Sequence, residues 1–246
     1  MNTSQHHGGR LGNGFFVGMA VHFIAKKSNL KFSYKYGNKF KKLGIELFSG
    51  EKTFDETISL KDTNFFGLVL SEEPIYKNIH IVNDVWCQTK EFSFFLKEHF
   101  EKPENKTIFI NANDCSHRYK NNTDVFVHVR LGDIISHKKI HPFEYYDNAL
   151  SGLKFENGFI SSDTLDHPIC LQLIEKYGLQ RLQSNEEDTI AFGSTCKYLV
   201  LSSGTFSWMI GLFGYFSEIY YPKIYNIWHG DIFVFPEWTE IDYTPT

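Results

Sequence analysis

A chain of 246 residues with 42% hydrophobic and 17% aromatic residues, 24 Phe among them, has ample material for a core and none of the composition of a disordered or fibrous chain. Lysine plus arginine number 25 against 29 aspartates and glutamates, a formal net charge of −4. No basic field exists to concentrate DNA or RNA, and nucleic acid is not expected as a partner.

In chain order, the opening "GGRLGN" (8–13) reads as a glycine turn with Asn13 as an N-cap, followed by Phe15, Phe16, Met19, Ala20, Phe23 and Ile24 at helical spacing. Lys26 and Lys27 suit the last turn. Within this helix "GFFVGMAVHFIA" (14–25) is too short to span a bilayer and carries His22, so no membrane segment is expected. Residues 30–105 hold strand-like runs such as "NIHIVNDVW" and an aromatic helix around "KEFSFFLKEHF", in no readable order. Beyond residue 105 the pattern becomes regular. "TIFIN" and "DVFVHVR" read as strands, and Pro142 opens a helix with Phe143, Tyr146, Leu150 and Leu153 on one face. "GFISSD" is a strand, and Pro168 opens a helix that groups Leu171, Ile174 and Tyr177. "LQRL", "EEDTIAFGS", "KYLVLSS", "GTFSWMIGLFGYF" and "EIYYP" continue the alternation. The expectation is an α/β fold with a mostly parallel, doubly wound sheet.

Cys87, Cys115, Cys170 and Cys196 are scattered without a CxxC pair. They suggest neither a zinc ribbon nor a disulfide framework but thiols of a reducing, cytoplasmic compartment; a Golgi-lumenal location would need an anchor outside this sequence. Sequons at Asn2, Asn105 and Asn121 are short patterns that arise by chance in an asparagine-rich chain.

Three polar clusters fall where a strand ends: "HVRLGD" (128–133), "SSD" (161–163) and "SSGTFS" (202–207). The carboxyl ends of strands form the ligand crevice of an open α/β sheet. Arg130 presents a planar, permanently charged fork suited to phosphate. "GGRLGN" opening a helix adds backbone N–H groups and the positive helix end, and "SSGT" adds hydroxyls and amides of the same kind. Together they describe a nucleotide-diphosphate site. "GRLGNG" (9–14) has the outer spacing of a Walker loop, but Phe15 and Phe16 stand where Lys and Ser or Thr are needed, and Gly9, Gly12 and Gly14 miss GxGxxG. ATPases and NAD enzymes are disfavoured. No DxD occurs, so charge compensation should come from arginine and amides; His137 and His141 precede Pro142 and lack a third ligand, so no metal site and no cofactor are expected. Taken singly, each feature has a plainer reading: His128 as a satisfied core histidine, Arg130 as an ion pair with Asp133, Asp163 as a turn residue, and "SSGTFSW" as a helix start.

In this order and spacing "GGRLGN", "HVRLGD", "FISSD" and "SSGTFSW" resemble the α-1,2-fucosyltransferases and, more distantly, the α-1,6- and protein O-fucosyltransferases, over about residues 8–216. The resemblance implies a compact GT-B-like fold of two facing Rossmann-like halves. Residues 1–120 would form the acceptor side and 121–246 the GDP-sugar side. It implies inverting, metal-independent transfer of L-fucose from GDP-fucose to a galactoside-type glycan acceptor. By motif, Arg130 would hold the β-phosphate, His128 would lie against the nucleotide, and Asp163, beside Ser162, would accept hydrogen bonds from guanine. Ser203, Thr205, Phe206 and Ser207 would complete the donor pocket, with Gly9, Arg10, Gly12 and Asn13 entering from the amino-terminal half. Asp133 and His128 are the groups nearest the motifs for the role of base. Three positions depart from the family pattern: Leu131 stands in place of a second arginine, Gly14 in place of a glutamine, and Met209 in place of a tryptophan. Two further readings remain: a sugar-nucleotide- or glycan-binding protein without catalysis, and a transferase using another nucleotide sugar.

Overall fold

The computed structural model describes residues 9–135, 139–225 and 230–244. Its first helix, α1 (Leu11–Ser28), buries Leu11, Phe15, Phe16, Val17, Ala20, Val21 and Ala25 completely. A helix that is apolar all round belongs inside a core. The helix begins earlier than expected, with Arg10 at the N-cap position. Asn13 is not the cap: one turn in, its side-chain oxygen accepts from Thr205 Oγ1 at 2.8 Å and Gln88 Nε2 at 3.1 Å. At the other end Asn29 turns left-handed at φ 50, its N–H donating to the Ala25 carbonyl, with Lys26 and Lys27 in the last turn as expected.

After α1 come α2 (Gly37–Lys42), β1 (Thr57–Leu60), α3 (Phe65–Leu70), β2 (Asn78–Ile81), α4 (Lys90–Glu101) and α5 (Pro103–Ala112). β1 and β2 pair in parallel, Thr57 opposite Asn78. This two-stranded sheet is far smaller than a Rossmann-like sheet; no larger one forms in this part of the chain among the described residues. "TIFIN" is helix rather than strand. Pro103 occupies the first turn, Glu104 complements its positive end, and only Phe109 is buried while Ile108 lies exposed. These start signals outweigh the β-branched run.

The remaining elements are β3 (Val125–Val129), α6 (Phe143–Leu150), β4 (Gly158–Ser162), α7 (Pro168–Tyr177), β5 (Gln180–Arg181), α8 (Glu186–Gly193), β6 (Tyr198–Val200), α9 (Thr205–Leu212), β7 (Glu218–Pro222) and β8 (Thr239–Ile241). Pro168 does stand in the first turn of α7, whereas Pro142 is the extended N-cap of α6. All six strands β3 to β8 pair in parallel, in the order β5-β4-β3-β6-β7-β8. Counted from β3 this is 3-2-1-4-5-6, the order of a Rossmann-type doubly wound sheet, with the switch point between β3 and β6.

β3 is buried at all five positions, and its alternation decides what each residue meets. Val125, Val127, Val129 and Leu131 join Tyr145, Tyr146, Cys170 and Leu173 beneath α6 and α7. Phe126 faces the other way, into the core shared by α1, α9 and α4. His128 and Arg130 continue that second face just where the strand runs out of core, so strand period and strand length together deliver them to the crevice. Within the shared core, Phe16 packs on Trp208 with ring centroids 4.7 Å apart, and Phe15 meets Phe213 edge-on at 6.0 Å. Among the described residues no helix is long and apolar enough to cross a membrane.

Candidate functional site

Arg130 leaves the end of β3 with its side chain three-quarters buried. Its Nε is buried and finds no hydrogen-bond partner among the described residues. One terminal nitrogen, Nη2, reaches Asp133 Oδ2 at the long distance of 3.5 Å. Burial presses the guanidinium pKa down, with Asp133 opposing; an arginine nevertheless stays charged. A desolvated cation with an unused donor is a group prepared for an anion.

Arg10, at the start of α1, spans two acids: Nη2 donates to Asp133 Oδ1 at 2.6 Å and Nη1 to Asp163 Oδ2 at 3.3 Å. The other Asp163 oxygen accepts the Leu131 N–H at 3.0 Å. Gly132 makes this possible. It sits at φ +28, and a Cβ there would fall 2.2 Å from Asp163 Oδ2. Asp163 therefore braces the 131–133 turn, which is one of the structural roles open to it. Arg10 and Asp133 are both more than half exposed, so their pairing is worth little in stability.

The third wall is the amino end of α9. Gly204, at φ +105, is the extended turn residue before it; a Cβ there would strike Arg130 Nη1 at 2.2 Å. Gly12 is equally constrained, because a Cβ would lie 2.6 Å from the Phe206 backbone nitrogen and 2.5 Å from Thr205 Oγ1. Two glycines thus bring the first turns of α1 and α9 into contact beside Arg130. Behind them His128 Nδ1 shares a hydrogen bond with Ser207 Oγ at 2.6 Å, and its ring leans on Phe206 at 5.1 Å. Burial pushes the His128 pKa down to about 4, Asp163 opposing and Arg130 and Arg10 reinforcing. The imidazole is neutral at physiological pH. Ser203 points elsewhere: its Oγ lies 2.7 Å from His141 Nε2, which also accepts the Ser203 N–H at 3.3 Å, while Nδ1 contacts the Tyr243 hydroxyl at 3.0 Å. His141 too is held down to about 4 by burial first and Arg130 second.

These walls enclose a cavity of about 220 Å³ at the carboxyl ends of β6, β3, β4 and β5. It is lined by Arg10, Gly12, Asn13, His128, Arg130, Ser162, Asp163, Thr205 and Phe206 of the sequence expectations. Gly9, Asp133, Ser203 and Ser207 are outside the lining. Gly9 accepts from the Tyr36 hydroxyl at 2.8 Å. Ser161, Ser184, Glu186 and Thr189 also line the cavity. Ser161 stood inside a quoted motif, but nothing marked residues 184–189 except their place after a strand. The volume falls short of the roughly 300–1,000 Å³ of sites that enclose a small ligand, with the exposed Arg10 side chain bridging Asp163 and Asp133 along its wall.

No group of three or more metal-ligating side chains occurs among the described residues. His137, and the sequon at Asn2, lie outside the described residues. Cys87, Cys115, Cys170 and Cys196 are all free. Two arginines, the amides of α9 and several hydroxyls on one crevice are equipped to bind an anion and to stabilise charge that develops on it. Comparison with family models, with curated proteins and with solved structures yields no match.

Proposed function

We propose that this chain is an inverting glycosyltransferase that takes L-fucose from GDP-fucose and passes it, without a bridging metal ion, to a hydroxyl of a galactoside-type glycan in α-1,2 linkage. The observation that carries the reading is Arg130, buried beside the switch point with an unused Nε. The other three motifs contribute further lining to the same cavity. A two-halved transferase needs its amino-terminal motif to face the nucleotide-binding sheet, and the approach of Gly12 to Thr205 supports that relation.

In the displacement the acceptor oxygen attacks the anomeric carbon from the side opposite the diphosphate. A new C–O bond forms as the bond from that carbon to the β-phosphate oxygen breaks, and GDP leaves with the electron pair. The acceptor proton passes to a base or to solvent. Negative charge gathers on the β-phosphate, where Arg130, Arg10 and the first amides of α9 are the groups disposed to meet it. Charge balance by arginine is the reason that this reading needs no metal.

A second reading, a sugar-nucleotide-binding protein without turnover, is favoured by the condition of the two base candidates. The Asp133 carboxylate is held by Arg10 and Arg130, and His128 is buried with a pKa near 4. Incubation with labelled GDP-fucose, a panel of β-galactosides and EDTA separates these readings. Transfer that survives the chelator supports the transferase. GDP binding with neither transfer nor donor hydrolysis supports the second reading, and absence of both binding and transfer defeats the two together.

A further inference from the structure

The resemblance assigns guanine recognition to Asp163, yet both oxygens of that carboxylate are committed, one of them to the backbone of the turn beside Arg130, whereas the bond made by Glu186 is to a lysine side chain through one oxygen. One oxygen takes the Leu131 amide at 3.0 Å, and the other is tucked against Gly132 with Arg10 at 3.3 Å. Withdrawing it from the turn would unseat the backbone next to Arg130. Guanine presents two adjacent donors on one edge, N1–H and the 2-amino group, and a carboxylate is the side chain that accepts both at once. Besides Asp163 the cavity wall has one other acid among the described residues, Glu186.

Topology says where Glu186 stands along a bound nucleotide. The cavity wall follows the strand order, from Thr205 and Phe206 after β6, through His128 and Arg130 at β3 and Ser161 to Asp163 at β4, to Ser184, Glu186 and Thr189 after β5. A diphosphate held by Arg130 and the start of α9 occupies the β6–β3 end. Two strand spacings away, about 10 Å, lies the β5 end, a separation that the ribose and base of a nucleotide cover. Glu186 is also held in place: Lys39 Nζ donates to its Oε2 at 2.6 Å, and Asn185 caps the helix through the Asp188 N–H. Lys39 and Lys42 further pair with the neighbouring Glu187, so α2 braces the start of α8 at this end of the crevice.

We infer that the segment after β5 is a nucleobase subsite in which Glu186 accepts the N1–H and 2-amino donors of guanine, making it the residue that selects GDP over other diphosphates. The inference rests on the nucleotide-sugar reading above. Adenine fails at this position because its N1 is an acceptor and meets a carboxylate lone pair; hypoxanthine keeps N1–H and lacks the 2-amino group. Ser184, whose Oγ is 2.9 Å from Thr189 Oγ1, lines the same end of the cavity.

Calorimetric titration of GDP, IDP, ADP and inorganic pyrophosphate into the wild type and Glu186→Gln tests this. The wild type should bind GDP most tightly, IDP less and ADP least. Glu186→Gln should lose about tenfold in GDP affinity, as for one charge-assisted contact, and the GDP-to-IDP ratio should collapse towards one while pyrophosphate binding stays as in the parent. Equal wild-type affinity for GDP and ADP, or an unchanged ratio in the variant, overturns the base subsite and leaves the diphosphate site standing. A wild type that binds neither GDP nor pyrophosphate defeats the nucleotide reading itself. If the variant does not fold, Glu186→Asp takes its place, and equal wild-type affinity for GDP and ADP overturns the base subsite without any variant.

Discussion

Replacing Leu131 with arginine would restore the second guanidinium of the fucosyltransferase pattern, and the alternation of β3 forecasts that it harms the protein. Leu131 is fully buried with Val127, Val129, Tyr145 and Tyr146, on the face opposite His128 and Arg130. The substitution removes a leucine whose burial contributes about 1.5–3 kcal/mol. It also places a cation among apolar neighbours, at an effective penalty of several kcal/mol per buried ion. The sum, about 5 kcal/mol, rivals the roughly 5–15 kcal/mol by which a domain is stable. Because the Leu131 N–H also holds Asp163, any backbone shift that lets the new side chain escape loosens the turn beside Arg130. Urea unfolding followed by tryptophan fluorescence, paired with GDP titration, reads both consequences. The expected variant unfolds at a much lower midpoint, or fails to fold, and shows no gain in GDP affinity. A Leu131→Arg protein as stable as its parent that binds GDP more tightly would refute the assignment of faces.

Acid should destabilise the fold before carboxylates titrate. His128 and His141 are held near pKa 4 against a usual 6.5, so the unfolded chain binds more protons between those values and stability is lost as pH falls through that window. At 1.36 kcal/mol per pKa unit each histidine accounts for a loss of about 3 kcal/mol by pH 4; a melting temperature that stays level from pH 7 to pH 5 contradicts the burial of both rings. Asp133→Asn should tighten pyrophosphate and GDP binding by a few-fold, since it removes the anion that now competes for Arg10 and Arg130. Unchanged or weaker affinity contradicts that competition; if Asp133 is also the base, the same variant lowers the transfer rate by about 10²–10⁴.

Much of the carboxyl-terminal sheet was legible because strand and helix signals agree with burial there. "VFVHVR" is apolar on both faces, Pro168 starts its helix, and each polar motif marks the end of a strand. The convergence on one crevice followed from topology alone. What misled was local. In "TIFIN" β-branched residues suggested a strand, while Pro103 and Glu104 just upstream held the helix signal. Asn13 looked like a cap, yet its side chain bonds Thr205, 192 positions away, a contact that no local pattern encodes. The contacts of Asp163 and Ser203 were obscured for a similar reason: their partners, the Leu131 amide and His141, both come from the connection between β3 and α6. Glu186 was hidden because an acid in the first turn of a helix has an ordinary explanation in the helix dipole.

The most direct test of the nucleotide-sugar account is calorimetric titration of GDP, in the presence of EDTA, into the wild type and Arg130→Ala. Binding by the wild type should survive the chelator, and the Arg130→Ala protein should stay folded but bind about 10- to 100-fold more weakly, the equivalent of about 1.5–3 kcal/mol for a charge-assisted contact. A wild type that does not bind GDP, or a folded Arg130→Ala variant that binds it as the parent does, would contradict the account.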